Sequence, residues 1–156
     1  MRETDRHIFF WGSVFSNWYP VTFEYDHHSF ANSEQAMMYE KAKLMGDTYS
    51  LNKILRTKNP KIVKQLGREV KPWDESLWVR NRERIMVEIC YAKFSSDPFL
   101  KKTILDTGSK ILVEASPYDT IWGIGMGSWE KGIDNPSNWK GLNLLGKSLM
   151  TVRGML

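Results

Sequence analysis

A chain of 156 residues with 42% apolar and 26% charged residues is globular, is about one domain in size, and can bury a core without staples. The single cysteine, Cys90, excludes an internal disulfide and a cysteine-built zinc site, and no apolar run approaches the 18 or so residues that span a bilayer. The net charge of +4 is uneven: Lys53–Lys71 carries seven lysines and arginines against Glu69 alone, a local +6 that leaves −2 elsewhere.

The charged start Met1–Arg6 is followed by no apolar stretch, so no signal peptide and a reducing cytosol are expected. Short strands are predicted over residues 7–11, from Ile8, Phe9 and Phe10, and over 20–25, from Val21, Phe23 and Tyr25 in alternation. His27-His28 then reads as a turn. Asn32 with Gln35 three residues on forms a capping box for a helix that Gly46 stops. Asp47 caps a second helix to about Arg56, and Asn59-Pro60 opens a short basic helix to about Arg68. Asp74 begins the longest helix, to about Phe94, with Trp78, Ile85 and Ile89 beside Met86 and Cys90 as its apolar stripe. Asp97-Pro98 opens another helix, which ends at Gly108. Lys110–Ala115 alternates as a strand, and a last helix runs from about Leu142 to Val152. The segment 116–141, rich in Gly, Pro, Asn and Trp, reads as irregular, and its length marks it as functional or as something other than a loop. The class expected is therefore α+β: one helix-rich domain over residues 1–156 with three short strands and no doubly wound sheet.

Aromatic residues make up 13% of the chain, with seven tryptophans. Beside a positive segment they suit a ligand carrying phosphate and a flat base, although a lysine-rich run reads equally as a solvated helix face. Neither a metal nor a cofactor is expected. His7 stands alone, and His27 and His28 are adjacent and point to opposite sides, so no pair has ligand spacing. Gly123, Gly125 and Gly127 alternate; they let backbone amides approach a phosphate, or they form a flexible surface loop. Glu34 and Lys41 lie seven residues apart on one helix face, about 10 Å along the axis. An ionised Glu34 in the first turn can stabilise a sugar cation or orient water, and a desolvated Lys41 amine can attack an aldehyde-like sugar carbon. The plainer reading is a helix-capping glutamate and a solvated lysine.

A set of motifs in fixed order resembles the NADAR family. They are Phe15-Ser16-Asn17-Trp18-Tyr19-Pro20, then Asn32-Ser33-Glu34-Gln35-Ala36 with Lys41-Ala42, then Leu112–Asp119 with Trp122-Gly123-Ile124-Gly125, and finally Gly141–Gly146 with Leu149-Met150 and Arg153. The family's YbiA-like members are N-glycosidases. The resemblance implies metal-free cleavage of the C–N bond between a ribose and a base or amine. Its implied substrates are phosphoribosylamino-pyrimidine intermediates of riboflavin synthesis or, in some branches, ADP-ribose on guanine. It places the family's helix glutamate at Glu34, its helix lysine at Lys41, its tryptophan at Trp78 and its second-half aspartate at Asp119. Substrate contacts are expected from Trp78, Trp122, Arg68, Gly123, Gly125, Asn17 and Asn143. YbiA-like members usually carry bulky aromatics just after the glutamate, where this chain has Ala36 and Met37. The expected partner is a phosphorylated N-riboside or an ADP-ribose-type molecule, including ADP-ribosylated nucleic acid, and not a membrane. A silent module that binds such ligands is the alternative from another class.

Overall fold

The computed structural model describes all residues 1–156. Its elements are β1 (Arg2–Glu3), β2 (His7–Phe10), β3 (Phe23–Tyr25), β4 (His28–Phe30), α1 (Ser33–Met45), α2 (Thr48–Leu55), α3 (Pro60–Arg68), α4 (Glu75–Ser95), α5 (Pro98–Leu105), β5 (Ile111–Glu114) and α6 (Leu144–Met155), with a 3-10 turn at Pro136–Asn138 before α6. The class is α+β, helix-rich with a few short strands. No helix is long and apolar enough to cross a membrane. The chain divides into two units, residues 17–96, and residues 1–16 with 97–156.

In the unit 17–96, α1 is the central element: α2, α3, α4 and the β3–β4 hairpin all pack on it. Every residue from Asn32 to Tyr39 is buried, so the first half of α1 has no solvent face. Its caps are those the sequence announces. Asn32 is extended, and its Oδ1 accepts the Gln35 N–H at 2.8 Å. The reach-back differs by one residue, because Gln35 Oε1 accepts from Ala31 N–H. At the other end Gly46, at φ +75°, takes the left-handed conformation that ends the helix. Gly46 N–H donates to Lys43 O and Asp47 N–H to Ala42 O, a Schellman pair.

Gln35 does more than cap. Its Nε2 donates to Ile54 O and Thr57 O, which pins the end of α2 to the start of α1. It is 2% exposed, so water cannot replace those bonds. Gln35→Ala is expected to cost about 2–3 kcal/mol, the scale of buried groups left short of partners, measured by urea denaturation.

Close packing sets the approach of α3. A Cβ at Gly67 would stand 1.9 Å from Met38 Sδ, so the helices meet there through glycine. The opposite face of α3 is solvated: Lys61, Lys64 and Arg68 are exposed, as are Lys53, Arg56, Lys58 and Lys71. α4 buries the expected stripe, Trp78, Ile85, Met86, Ile89 and Cys90, and adds Phe94 and Lys93. Burial pushes the Cys90 thiol up to about 12, so it is inert packing.

The strand expected over 20–25 is confined to Phe23–Tyr25. It pairs antiparallel with β4, a strand that replaces the expected turn at His27-His28. The turn is Asp26-His27, both left-handed at φ 49° and 64°. Asp26 Oδ2 accepts from Tyr39 OH at 2.5 Å and from Lys43 Nζ at 2.9 Å, which anchors the turn to α1.

In the second unit, β1, β2 and β5 form a sheet in that order. β2 and β5 run parallel, pairing His7 with Ile111 through Phe10 with Glu114. Phe9, Val113 and Ala115 pack with Ile124, Met126 and Ile133. Those last three come from the segment read as irregular, which therefore carries its own core. Its backbone is also tied to the start of α6: Leu142 N–H donates to Thr120 O, Asn143 N–H to Gly123 O, Leu144 N–H to Ile121 O and Leu145 N–H to Trp122 O. A close approach explains one glycine here, since a Cβ at Gly141 would stand 2.3 Å from Gly123 O.

Candidate active site

Glu34 occupies the first turn of α1 and is 5% exposed. Its N–H donates to Asn17 O at 3.0 Å, so the chain segment before β3 is held to the helix start. Two turns on, Lys41 is half-buried, with its Nζ 4.6 Å from the Trp73 ring centre and 5.8 Å from that of Trp78. The two indoles lie 6.3 Å apart at 53°. Trp73 is fixed by its Nε1, which donates to Glu75 Oε2 at 2.8 Å.

This setting lowers the pKa of Lys41. Burial is the main cause, because a desolvated ammonium is disfavoured. Glu34 and Glu75 oppose the shift, and the Arg68 guanidinium adds to it. The charges of Glu34, Glu75 and Arg68 thus all act on one amine. In the unit 17–96, Trp73 and Trp78 flank the Lys41 amine, the charges of Glu34 and Arg68 act on it electrostatically, and Asn17 is bonded to the Glu34 backbone.

Two residues of this unit escaped the sequence reading. Trp73 is 41% exposed, whereas Trp78 is 6% exposed, so Trp73 offers the more open aromatic face. Its signal was an aromatic one residue before the α4 cap Asp74, where a ring packs back over the helix start. Lys93 is the second. It sits 1% exposed in the apolar stripe of α4, with Nζ 5.6 Å from the Tyr19 ring centre. Periodicity treats a lysine as an outward residue, which hid it.

The other candidates lie in the second unit, engaged in local structure. Asp119 Oδ1 accepts the N–H groups of Ile121 and Trp122, both at 2.9 Å. The Gly125 N–H donates to Asp119 O, and the Ile124 N–H to Glu114 O. Gly123 is crowded, since a Cβ would lie 2.9 Å from Asp119 O. Trp122 is half-buried. Asn143, at φ 54°, does not cap α6; its Oδ1 accepts from Glu114 N–H and its Nδ2 donates to Leu112 O, joining α6 to β5. Glu114 is buried, at 8% exposure. It ends β5 beneath the Asn143 side chain.

A cavity of about 530 Å³ lies on another face of α1, lined by Tyr25, Asp26, Glu40, Lys43, Leu44, Arg84 and Glu88. Its cations are paired internally, Lys43 with Asp26 and Arg84 with Glu88. It contains none of the site residues expected from the sequence. No group of three His, Cys, Asp or Glu side chains is placed to hold a metal ion.

Comparison with known proteins identifies the family and the fold. The model of the NADAR domain family matches residues 9–156. The chain is 40% identical to N-glycosidase R617 of Acanthamoeba polyphaga mimivirus, over 97% of this chain and 96% of that one. It is 33% identical to the chloroplastic riboflavin biosynthesis protein PYRR of Arabidopsis thaliana, over 66% of this chain but 16% of the relative. The NMR structure of the E. coli protein YbiA superposes with a TM-score of 0.79 at 26% identity, over 99% of this chain and 86% of that one.

Proposed function

The chain belongs to the NADAR domain family, and from that premise we propose that it is an N-glycosidase that hydrolyses the C–N bond between a phosphorylated ribose and a base-like amine. Its 40% identical viral relative, which matches nearly end to end, is named an N-glycosidase. The observation that carries the reading is the pairing of Glu34 with an amine whose pKa burial has lowered.

The reaction adds water across the C–N bond. Sugar C1 gains the oxygen, and the nitrogen leaves as the free amine. Positive charge develops at C1, and the Glu34 carboxylate at the α1 N-terminus stabilises it. Lys41 supplies the nucleophile. Its neutral Nζ attacks C1 of the ring-opened sugar, expels the amine and leaves an imine. Water then hydrolyses the imine and returns the lysine. This route suits a glycosylamine, whose ring opens readily at a C1 bearing N–H. Trp73 and Trp78 keep water from the Lys41 amine and offer flat faces to a heterocycle. A phosphoribosylamino-pyrimidine meets these requirements, and the similarity to the riboflavin biosynthesis protein favours that class. The test is a panel of candidate N-ribosides with the released amine read by mass spectrometry. Release of a pyrimidine amine supports the reading, and no release from any phosphoribosylamine contradicts it.

The phosphate is assigned to the basic face of α3. Arg68 already acts on Lys41, and Lys64 lies one turn before it on the same helix. Reversing both to Glu is expected to raise KM about tenfold more for a phosphorylated substrate than for its dephosphorylated form, and the excess should shrink with added salt. Equal rises for the two substrates would reduce the basic segment to a solvated face.

A further inference from the structure

A second, smaller cavity of about 100 Å³ opens in the unit 17–96, between the β3–β4 hairpin and the turn from α2 to α3. Thr22, Ser29, Arg56 and Lys58 line it, with Phe30 and Leu55 as its apolar part. All four polar residues are exposed, so solvent reaches them. The cavity shares no residue with the surroundings of the Lys41 amine.

Its frame is fixed from below by the start of α1. Gln35 accepts from Ala31 N–H and donates to Ile54 O and Thr57 O. Asn32 Nδ2 donates to Lys58 O at 3.0 Å, and Val21 N–H donates to Ala31 O. Both walls are thereby tied to one helix start. The Gln35 bonds also cover carbonyls at the end of α2 that would repel an anion.

The side chains held on this frame are donors without acceptors. Arg56 and Lys58 form no ion pair, and the Thr22 and Ser29 hydroxyls make no hydrogen bond within the protein. By contrast, Lys43, Arg84 and Lys102 each pair with a carboxylate. Glu24, opposite Ser29 in the hairpin, does not line the cavity and pairs with neither cation. Two like charges at one small cavity repel each other, and an anion between them relieves that repulsion. The volume is that of about three waters, which is room for one phosphate group. A phosphate dianion matches both cations in charge, its oxygens accept from both hydroxyls, and a guanidinium binds two of them at once. A carboxylate carries half that charge and leaves donors unmet.

We propose that Arg56, Lys58, Thr22 and Ser29 form an anion pocket that holds one phosphate group. It is separate from the phosphate position assigned to Arg68 and Lys64: Lys58 precedes α3 and Arg68 ends it, about 12 Å away along the axis. The pocket does not depend on the N-riboside reading, because its residues take no part in that chemistry.

The test is an amide NMR titration of the full chain with inorganic phosphate, at an ionic strength held constant with sodium chloride. Saturable shifts are expected at Ser29–Ala31 and Leu55–Lys58. The double variant Arg56→Gln, Lys58→Gln should weaken binding about tenfold or more, and Ser29→Ala about threefold. The melting midpoint should hold in both, since the replaced groups are exposed and unpaired. Shifts that never saturate, that centre on Lys64 and Arg68, or that saturate equally in the double variant would overturn the pocket. A short single-stranded oligothymidylate then separates the sources of the phosphate. Displacement of inorganic phosphate from the same amides supports the pocket as a contact for a nucleic-acid strand, and retention of phosphate supports it as a site for free phosphate or a small ester.

Discussion

Glu34→Gln is expected to lower kcat by about 10²-fold or more, with the melting midpoint shifted by no more than about 4 °C. The rate loss follows from the charge. A buried carboxylate aimed at a carbon that turns cationic acts where water screens little, and removing such a group costs on this scale. The small stability change follows from shape. Gln keeps the length and nearly the helix propensity of Glu. What it loses is the favourable interaction of a negative charge with the first turn of α1, about 0.3–1 kcal/mol. For a chain of this length, 1 kcal/mol moves the midpoint by about 4 °C. Turnover near the wild-type rate would remove Glu34 from the site, and a collapse of the midpoint would make it a structural residue.

Lys41→Arg is expected to be as inactive as Lys41→Ala, down about 10²- to 10⁴-fold. Arginine keeps the positive charge and the stacking over Trp73 and Trp78, but it is never neutral and forms no imine. A lysine that only contacts phosphate would tolerate the exchange, so the pair of variants separates the two roles. The pH dependence carries the same distinction. Burial holds the Lys41 pKa below the ordinary lysine range. Attack requires the neutral amine, so the imine-forming rate rises with pH through that lowered pKa and levels off above it. Arg68→Gln removes a neighbour that lowers the Lys41 pKa, and the rise should move to higher pH. An unchanged profile in that variant would detach Arg68 from Lys41.

How far the sequence foretold this protein varies by element. Helix starts were legible because they are chemical events: Asn32, Asp47, Asn59, Asp74 and Asp97 each accept an early helical N–H as their side chains announce. β4 was not, because its turn uses Asp26 and His27 in the left-handed region rather than the usual Asn-Gly pair, and it is held by Tyr39 and Lys43 from α1. The segment 116–141 lacks a period because its order comes from hydrogen bonds to the start of α6, twenty residues away in sequence. In the site, Glu34 and Lys41 share a face by helix geometry alone, which made them visible. Trp73 comes to Lys41 only through the packing of α4 on α1, which no local pattern encodes.

The central claim is that the Lys41 amine attacks a ribosyl carbon and releases the base as an amine. Borohydride reduction during turnover of a phosphoribosylamine, followed by intact-mass measurement and peptide mapping, tests it most directly. The account predicts a stable phosphoribosyl adduct on Lys41, formed in the wild type and absent in Lys41→Ala. Amine release at the full rate with Lys41 unmodified, together with a Lys41→Arg variant that still turns over, would contradict it and leave the chemistry to Glu34 and water.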